Sequence, residues 1–213
     1  QQNHTVELAP AIADLLRTTG ISPSELYGLG IALGPGGFSA LRTGMSVVKG
    51  LAFALSIPVV GVSTLEAEAY PYLSTSNRVC ALIPIGRDRI AWATYEVSQG
   101  KHHPIGTEHQ GVVAELVGSV TKRTLFCGEA APDSTPNIKE VLGRTAIVAS
   151  NYSPVIRLGG LAALAEERLE QGESHPLVDL LPNYLREPNI TPPKPIRHVQ
   201  RGSVARDHTG TSK

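Results

Sequence analysis

The feature that most constrains the fold of this chain is a glycine-rich turn followed by a long apolar segment. Residues 30–33 form a short apolar run, and the next four residues are three glycines and a proline. Such a run ends in a tight turn, because glycine readily adopts positive φ and allows close backbone approach. Residues 40–56 carry only two charges, Arg42 and Lys49, and place apolar side chains on every side of a helix. A helix that is apolar all round must be covered on both sides. The sequence therefore predicts strand, turn, a buried helix beginning near Ala40, and a second strand at residues 59–62.

The glycine turn has three competing interpretations. A phosphate-binding P-loop needs a lysine after its second glycine, and Ala40 and Leu41 stand at that point. A dinucleotide fingerprint needs a third glycine, where this chain has Ser39. The residues favour the third interpretation, a turn that lets a helix pack tightly on a sheet.

Three segments around this turn resemble a known family. Residues 34–44 read GPGGFSALRTG, residues 49–52 read KGLA and residues 57–67 read IPVVGVSTLEA. They are similar to the G-P-G-S-F-T-G-L-R-x-G, K-G-L-A and I-P-x-x-G-V-S-S-L-E-A signature of the TsaB (YeaZ) family. Weaker matches at residues 3–5, 92–95 and 184–186 extend the resemblance over most of residues 3–187. The signature turn consists of Gly34, Pro35, Gly36, Gly37, Phe38, Arg42 and Gly44.

The resemblance implies an α/β fold of the actin-like (ASKHA, RNase H-like) type with two lobes. Residues 1–76 would form the N-terminal lobe without its first strands, residues 77–187 the C-terminal lobe, and residues 188–213 an extended or disordered tail. The implied role is a non-catalytic partner of TsaD in making threonylcarbamoyladenosine on tRNA, as a heterodimer that joins TsaE in a larger complex. No cofactor is expected in the isolated subunit, and ATP or ADP is expected only at a site shared within the complex.

Charge and composition limit the partners of the chain. The 19 basic and 19 acidic residues balance, so strong direct binding of tRNA, which depends on neutralised phosphates, is not expected. Cys80 and Cys127 lie in apolar, strand-like runs and are predicted to be buried, reduced thiols rather than a disulfide. No apolar run reaches the roughly 18 residues of a membrane span, and the expectation is a soluble, cytoplasmic protein with no membrane partner.

Periodicity and capping signals predict the remaining elements. Helices are expected at residues 5–19, with Pro10 disturbing the first turn, and at 158–169; capping boxes at Ser22 and Ser63 begin two shorter helices. Residues 79–85 and 90–97 read as a hairpin, followed by a polar loop at 98–110. A weak helix is expected at 112–120, and short strands at 124–128 and 146–149.

The histidines and nucleophiles do not form a catalytic or metal-binding pattern. His102 and His103 are adjacent and cannot face one ion together on a strand or helix, and His109 has no cysteine nearby. All three are interpreted as surface loop residues. Neither cysteine stands beside a histidine, and the G-x-S-x-G motif of serine hydrolases does not occur.

The resemblance points to two further absences. TsaD enzymes carry a His-x-x-x-His metal pair on the helix that follows the second strand, and Thr64 and Glu68 stand at those positions here. Glu66 and Glu68 point in different directions on a helix, so this helix is interpreted as a cap with a solvated face. In the hairpin, Pro84 stands where the family commonly has an acidic residue, and residues 87–89 are interpreted as an ion pair or a solvated tip rather than a nucleotide contact.

The predicted partner surface lies on the first two long helices. The helix at 40–56 has more apolar faces than one sheet covers, and two such helices from each subunit can close a four-helix bundle. The predicted contact residues are Leu8, Ile12, Leu15, Leu16, Met45, Val48 and Ala52. The alternatives to a partner subunit are an ATPase of the same fold or a glycoprotease-like peptidase, and a self-associating protein that uses these helices in a homodimer.

Overall fold

The strands of this computed structural model, which describes residues 4–149 and 151–185, form two sheets. In the first sheet, β1 (Leu29–Gly34) and β2 (Val59–Ser63) pair in parallel. The second sheet has the strand order β5-β4-β3-β6-β7. Its antiparallel part consists of β3 (Arg78–Gly86), β4 (Arg89–Ser98) and β5 (Lys101–Gly111). The strands β6 (Thr124–Cys127) and β7 (Ala146–Val148) extend it in parallel.

The helices of the described residues connect and cover these sheets. They are α1 (His4–Thr19), α2 (Phe38–Leu55), α3 (Thr64–Ala69), α4 (Val113–Ser119), α5 (Ala131–Leu142) and α6 (Pro154–Glu170). Short 3₁₀ turns lie at Pro23–Glu25, Tyr70–Tyr72 and Gly143–Thr145. The capping box at Ser22 is confirmed, with the Ser22 backbone N–H donating to Glu25 Oε2 at 2.6 Å.

One face of the first sheet packs against α2. Ile31 of β1 and Val59 of β2 lie in a buried cluster with Met45 and Ala52 of α2. Leu180, from the segment after α6, completes this cluster. Met45 and Ala52 lie about two turns apart on the inward side of the helix. They therefore face the core of this chain, which corrects their placement on the predicted partner surface.

The other face of the first sheet packs against α6. Leu164 and Ala165 lie in a buried cluster with Val60 and Val62 of β2. This helix comes from beyond residue 76, so a C-terminal part of the chain completes the core around β1 and β2. The division of the chain into lobes at residue 76 stays a prediction.

The start of α6 and its contact with α3 depend on two local features. Ser153 caps the helix and Pro154 occupies its first turn, which is a favourable beginning and places the start earlier than the predicted residue 158. Gly160 allows close approach, because a Cβ built there would collide with the carbonyl oxygen of Ala67 in α3.

The second sheet is buried on both faces. Along β3, Val79 and Ala81 pack with α3, whereas Cys80 and Leu82 pack with α4 and α5. This alternation explains why β3 and β4 read as nearly continuous apolar runs. The predicted hairpin of residues 79–85 and 90–97 is confirmed, as are the elements expected at 112–120, 124–128 and 146–149.

Two sequence interpretations of this region need correction. The expected polar loop at 98–110 is largely the strand β5, which pairs with β4 along one edge and is polar because little of it is buried. The helix α5 was not predicted, since Pro132 and Pro136 interrupt its pattern. Over residues 4–149 and 151–185, no helix is both long enough and apolar enough to cross a bilayer. The predicted tail at 188–213 lies outside the described residues.

Candidate functional site

The signature turn packs against residues 183–185, here called the returning segment. Gly34 has φ +110°, and a Cβ built on it would lie 2.7 Å from the carbonyl oxygen of Asn183. The backbone N–H of Asn183 donates to the carbonyl oxygen of Leu33 at 2.7 Å. Glycine is therefore required at position 34 for both its conformation and its contact. The turn therefore brings β1 against the segment around Asn183, a contact that the sequence interpretation of a helix packing on a sheet did not include.

The first turn of α2 binds the same returning segment through aromatic and cationic groups. The rings of Phe38 and Tyr184 lie 5.0 Å apart between centroids. The guanidinium of Arg42 lies 4.2 Å from the centre of the Phe38 ring, and its Nε donates to the Tyr184 hydroxyl at 3.1 Å. These signature residues thus position residues 183–185 in the described structure. Their contact spans 142 positions, and no local pattern could have revealed it.

A cavity of about 590 Å³ lies where β2, β4, β5 and this segment meet. Ser63 caps α3 by accepting from the backbone N–H groups of Leu65 and Glu66, and its hydroxyl donates to Glu108 Oε1 at 2.5 Å. Asn183 Nδ2 donates to the other oxygen of Glu108 at 2.7 Å. Burial raises the pKa of Glu108 despite these hydrogen bonds, with the charge of Glu66 adding to the rise.

Glu66 lies at the edge of this cavity and binds a histidine and an arginine side chain. Its Oε1 lies 3.0 Å from His102 Nε2 and 2.6 Å from Arg168 Nη2. Burial alone would raise the pKa of Glu66, but hydrogen bonds from His102 and Arg168 and the charge of Arg168 outweigh it and leave the pKa lowered. The Glu66 carboxylate therefore does not return to Ser63, and only half of the predicted capping box forms. His102 is half-buried on a strand, which corrects its interpretation as a surface loop residue.

On the opposite side of α3, Glu68 is buried in an ionic cluster. Its side chain is 1% exposed, and its Oε1 accepts from Arg157 Nη1 at 3.2 Å. The same nitrogen lies 3.2 Å from Glu129 Oε2. Burial raises the pKa of Glu68 to about 7; the charge of Arg157 lowers it and that of Glu129 raises it.

The helix α3 is therefore not the solvated face that the sequence predicted. Most of its side chains are buried, because α6 covers one side and β3 another. As predicted, Glu66 and Glu68 do not converge: each carboxylate binds a different arginine. Thr64 and Glu68, at the positions of the TsaD metal pair, are both buried. Among the described residues, no group of three or more His, Cys, Asp or Glu side chains could hold a metal ion.

A second cavity, of about 470 Å³, lies between the two sheets, and Glu129 and Arg157 are its charged lining residues. The signature turn lines one side of it, and Ile83 and Pro84 of β3 line another. The tip of the β3–β4 hairpin is solvated, with Arg87, Asp88 and Arg89 all exposed.

The remaining candidate groups are engaged or inaccessible. His109 stacks on Trp92 at 5.5 Å between ring centroids. Cys80 and Cys127 are buried, free thiols, as the sequence predicted. Burial raises the pKa of Cys80 to about 12 and that of Cys127 well above its usual value. A thiol reacts as its thiolate, so neither cysteine is placed to act as a nucleophile.

The predicted partner surface is only partly exposed. Leu8, Ile12 and Leu16 of α1 are half-buried, whereas Leu15 is 62% exposed. On α2, Val48 packs against the core cluster of the first sheet, and Phe53 is 80% exposed. The outward apolar groups are therefore Leu15 and Phe53, together with Val6. Phe53 was not among the predicted contacts, because an all-round apolar helix gives no sign of which side faces solvent.

The two sheets, with α3 and α6 packed between and against them, define a mixed α/β protein of the actin-like (ASKHA) type. Comparison with known proteins agrees. The family model of TsaD, described as tRNA N6-adenosine threonylcarbamoyltransferase, matches residues 1–191. The chain is 28% identical to the tRNA threonylcarbamoyladenosine biosynthesis protein TsaB of Bacillus subtilis, over 87% of this chain and 81% of that protein.

A solved structure and a further sequence relative give the same result. YeaZ from Pseudomonas aeruginosa matches with a TM-score of 0.67 and 26% identity, over 86% of this chain and 85% of that chain. An enzyme named tRNA N6-adenosine threonylcarbamoyltransferase, from Desulforapulum autotrophicum, is 29% identical over 56% of this chain and 36% of its own length. The chain belongs to the TsaB (YeaZ) family, within the group of TsaD-like domains.

Proposed function

We propose that this protein is a non-catalytic subunit of threonylcarbamoyladenosine synthesis that pairs with a TsaD enzyme through α1 and α2. Family membership supports the pathway. The observation that carries the pairing is the outward apolar face of these helices, where Leu15 and Phe53 are 62% and 80% exposed. Large exposed apolar side chains on two helices that contact each other favour an interaction site.

The space between the two helices suits helices from a partner. Leu8 and Ala11 of α1 and Ala40 and Thr43 of α2 border a cavity of about 360 Å³. Two helices from a second subunit would fill this gap and complete a four-helix bundle. A pairing of standard size buries about 1,600 Å² in total.

The proposal assigns no chemistry to the isolated subunit. Ser63 is assigned a structural role, since its hydroxyl caps α3 and donates to Glu108, and both thiols are buried with raised pKa values. In this proposal, ATP or ADP binds only at a site shared with TsaD, TsaE joins the larger complex, and tRNA is contacted indirectly. Balanced charge supports the last point, since direct binding rests on phosphate neutralisation.

Co-purification with the TsaD of the same organism tests the pairing. Leu15→Asp and Phe53→Asp each place an ion within the proposed interface, where an unpaired buried charge costs about 3 to 5 kcal/mol. Neither variant should co-purify with TsaD, and neither should restore the tRNA modification in cells that lack this subunit. Val141→Asp is the matched control, because Val141 is 61% exposed on α5, away from both helices.

Other outcomes would contradict specific parts of the proposal. If both aspartate variants kept TsaD while remaining folded by circular dichroism, the assigned interface would be wrong. ATP turnover by the isolated protein above about 0.1 per second would favour the enzyme alternative, because typical enzymes turn over at about 1 to 1,000 per second. A stable homodimer that excludes TsaD would favour the self-associating alternative.

A further inference from the structure

The cavity between β2, β4, β5 and the returning segment has the size of a small-molecule site. Its volume is about 590 Å³, and such sites usually measure about 300 to 1,000 Å³. Much of its lining is apolar and comes from Ala93, Tyr95, Pro104, Ile105 and Leu185. None of its lining residues belongs to α1 or α2, so a ligand here goes beyond the proposed pairing and does not depend on it.

A bulge in β5 places a carboxylate in the wall of this cavity. The register of β5 against β4 jumps, so that residues 106–108 stand opposite Ala93 alone. Gly106 takes φ +73° in the bulge, a conformation that glycine adopts readily. Bulges in edge strands redirect side chains and are frequent beside functional sites. The carboxylate that lines the cavity from this bulge is that of Glu108.

The Glu108 carboxylate has only neutral partners in the described structure. Its two oxygens accept from the Ser63 hydroxyl and from the Asn183 amide. The other lining carboxylate, Glu66, is bound by Arg168, which is the cation of the lining. Among residues 4–149 and 151–185, no Lys, Arg or His side chain forms an ion pair with Glu108. The cavity therefore holds one negative charge that no described side chain neutralises.

A ligand that carries a cationic hydrogen-bond donor would complete this carboxylate. A carboxylate accepts about four hydrogen bonds, and the contacts with Ser63 and Asn183 leave part of this capacity unused. Burial of Glu108 beside neutral partners disfavours its ionised form, in agreement with its raised pKa. Hydrogen bonds between two charged groups are about twice as strong as those between neutral groups.

We propose that this cavity binds a small organic ammonium compound. Its ammonium group donates to Glu108, and its apolar chain lies against Tyr95 and Ile105. The apolar lining favours an alkyl ammonium over an inorganic cation, because an inorganic cation needs oxygen ligands on several sides.

Binding of n-pentylamine to the full chain, followed by amide NMR, tests the inference. The amine is protonated at pH 8, since alkyl ammonium groups such as that of lysine have a pKa of about 10.4. It should shift the signals of residues 105–108. The uncharged n-pentanol should bind at least about tenfold more weakly, because it offers no charged donor. Tighter binding of Nα-acetyl-lysine amide than of pentylamine would indicate a peptide lysine as the occupant and overturn the assignment to a small molecule.

Glu108→Gln keeps the size of the side chain and removes its charge. It should weaken pentylamine binding about 10- to 100-fold and leave pentanol binding unchanged. Glu140→Gln is the matched control, because this exposed glutamate of α5 does not line the cavity, and it should bind pentylamine like the unmodified chain. Thr107→Trp, at an exposed lining position, keeps the carboxylate and should weaken binding of both ligands by filling the cavity.

Three results would each overturn the inference. They are no binding of pentylamine by the unmodified chain, equal binding of pentylamine and pentanol, and unchanged pentylamine binding by folded Glu108→Gln. If Glu108→Gln fails to fold by circular dichroism, Thr107→Trp decides whether the ligand occupies this cavity, and unchanged binding by that variant would place the ligand elsewhere.

Discussion

Replacing Glu68 by glutamine should remove a pH-dependent destabilisation of the folded protein. Burial raises the pKa of Glu68 from 4.5 to about 7. An acid with a higher pKa in the folded state binds its proton more tightly there, so ionisation disfavours folding. The contribution of Glu68 to stability should therefore fall as pH rises from about 4.5 to about 7, and stay constant above that.

The magnitude follows from the difference between the two pKa values. One pKa unit corresponds to about 1.4 kcal/mol, so ionising Glu68 lowers the free energy of unfolding by about 3 kcal/mol. Glutamine has nearly the same shape and can still accept from Arg157, but it does not ionise. At pH 5 the two proteins should be of similar stability, and at pH 8 the variant should be more stable by about 2 to 3 kcal/mol.

Urea unfolding at several pH values between 5 and 8 measures this difference. All other titrating groups are common to the two proteins, so they cancel in the comparison. Glu140→Gln should show no pH-dependent difference, because that side chain is exposed. If Glu68→Gln were instead less stable at every pH, the Glu68–Arg157 ion pair would be a net stabilising contact, and the reasoning from burial would be refuted.

Three further predictions follow from contacts of the described residues. Glu66→Gln should show the opposite pH dependence, because hydrogen bonds and the charge of Arg168 lower the pKa of Glu66. The ionised Glu66 therefore stabilises the fold above about pH 4.5, and this stabilisation is lost as pH falls. Acid unfolding of the two proteins measures the difference. Gly160→Ala should destabilise the protein by about 1 to 3 kcal/mol, because the added Cβ collides with a carbonyl of α3. Gly159→Ala has open space around it and should stabilise the protein by about 0.5 to 1 kcal/mol in thermal unfolding. Equal effects of the two substitutions would refute the close contact. Arg42→Ala should accelerate amide exchange around Tyr184 without changing α2, since it removes the hydrogen bond and the cation–π contact with the returning segment.

Local patterns revealed most elements but few of the contacts that make the candidate sites. The strands of the β3–β4 hairpin and the position of α2 were predictable because their apolar residues are consecutive in sequence. The predicted burial of α2 on both sides was wrong for the described structure, in which only Met45 and Ala52 of this helix are buried. The edge strand β5 was not, since residues such as His103 and Pro104 are exposed and carry no alternation of apolar groups. The contact of Glu68 with Arg157 joins residues 89 positions apart, and each alone looks like an ordinary helical charge. Such pairs become visible only when α3 and α6 are packed together.

The packing of α6 and Leu180 on the first sheet also has a consequence for synthesis on the ribosome. The strands and helices of the second sheet lie within residues 78–148, so their contacts can form as soon as that stretch has emerged. The strands β1 and β2 emerge earlier, yet Val60 and Val62 are covered only by a helix that begins at Pro154. Domains generally fold as units during synthesis. We therefore expect residues 78–148 to fold first, while Val60 and Val62 stay without their covering helix until α6 has emerged.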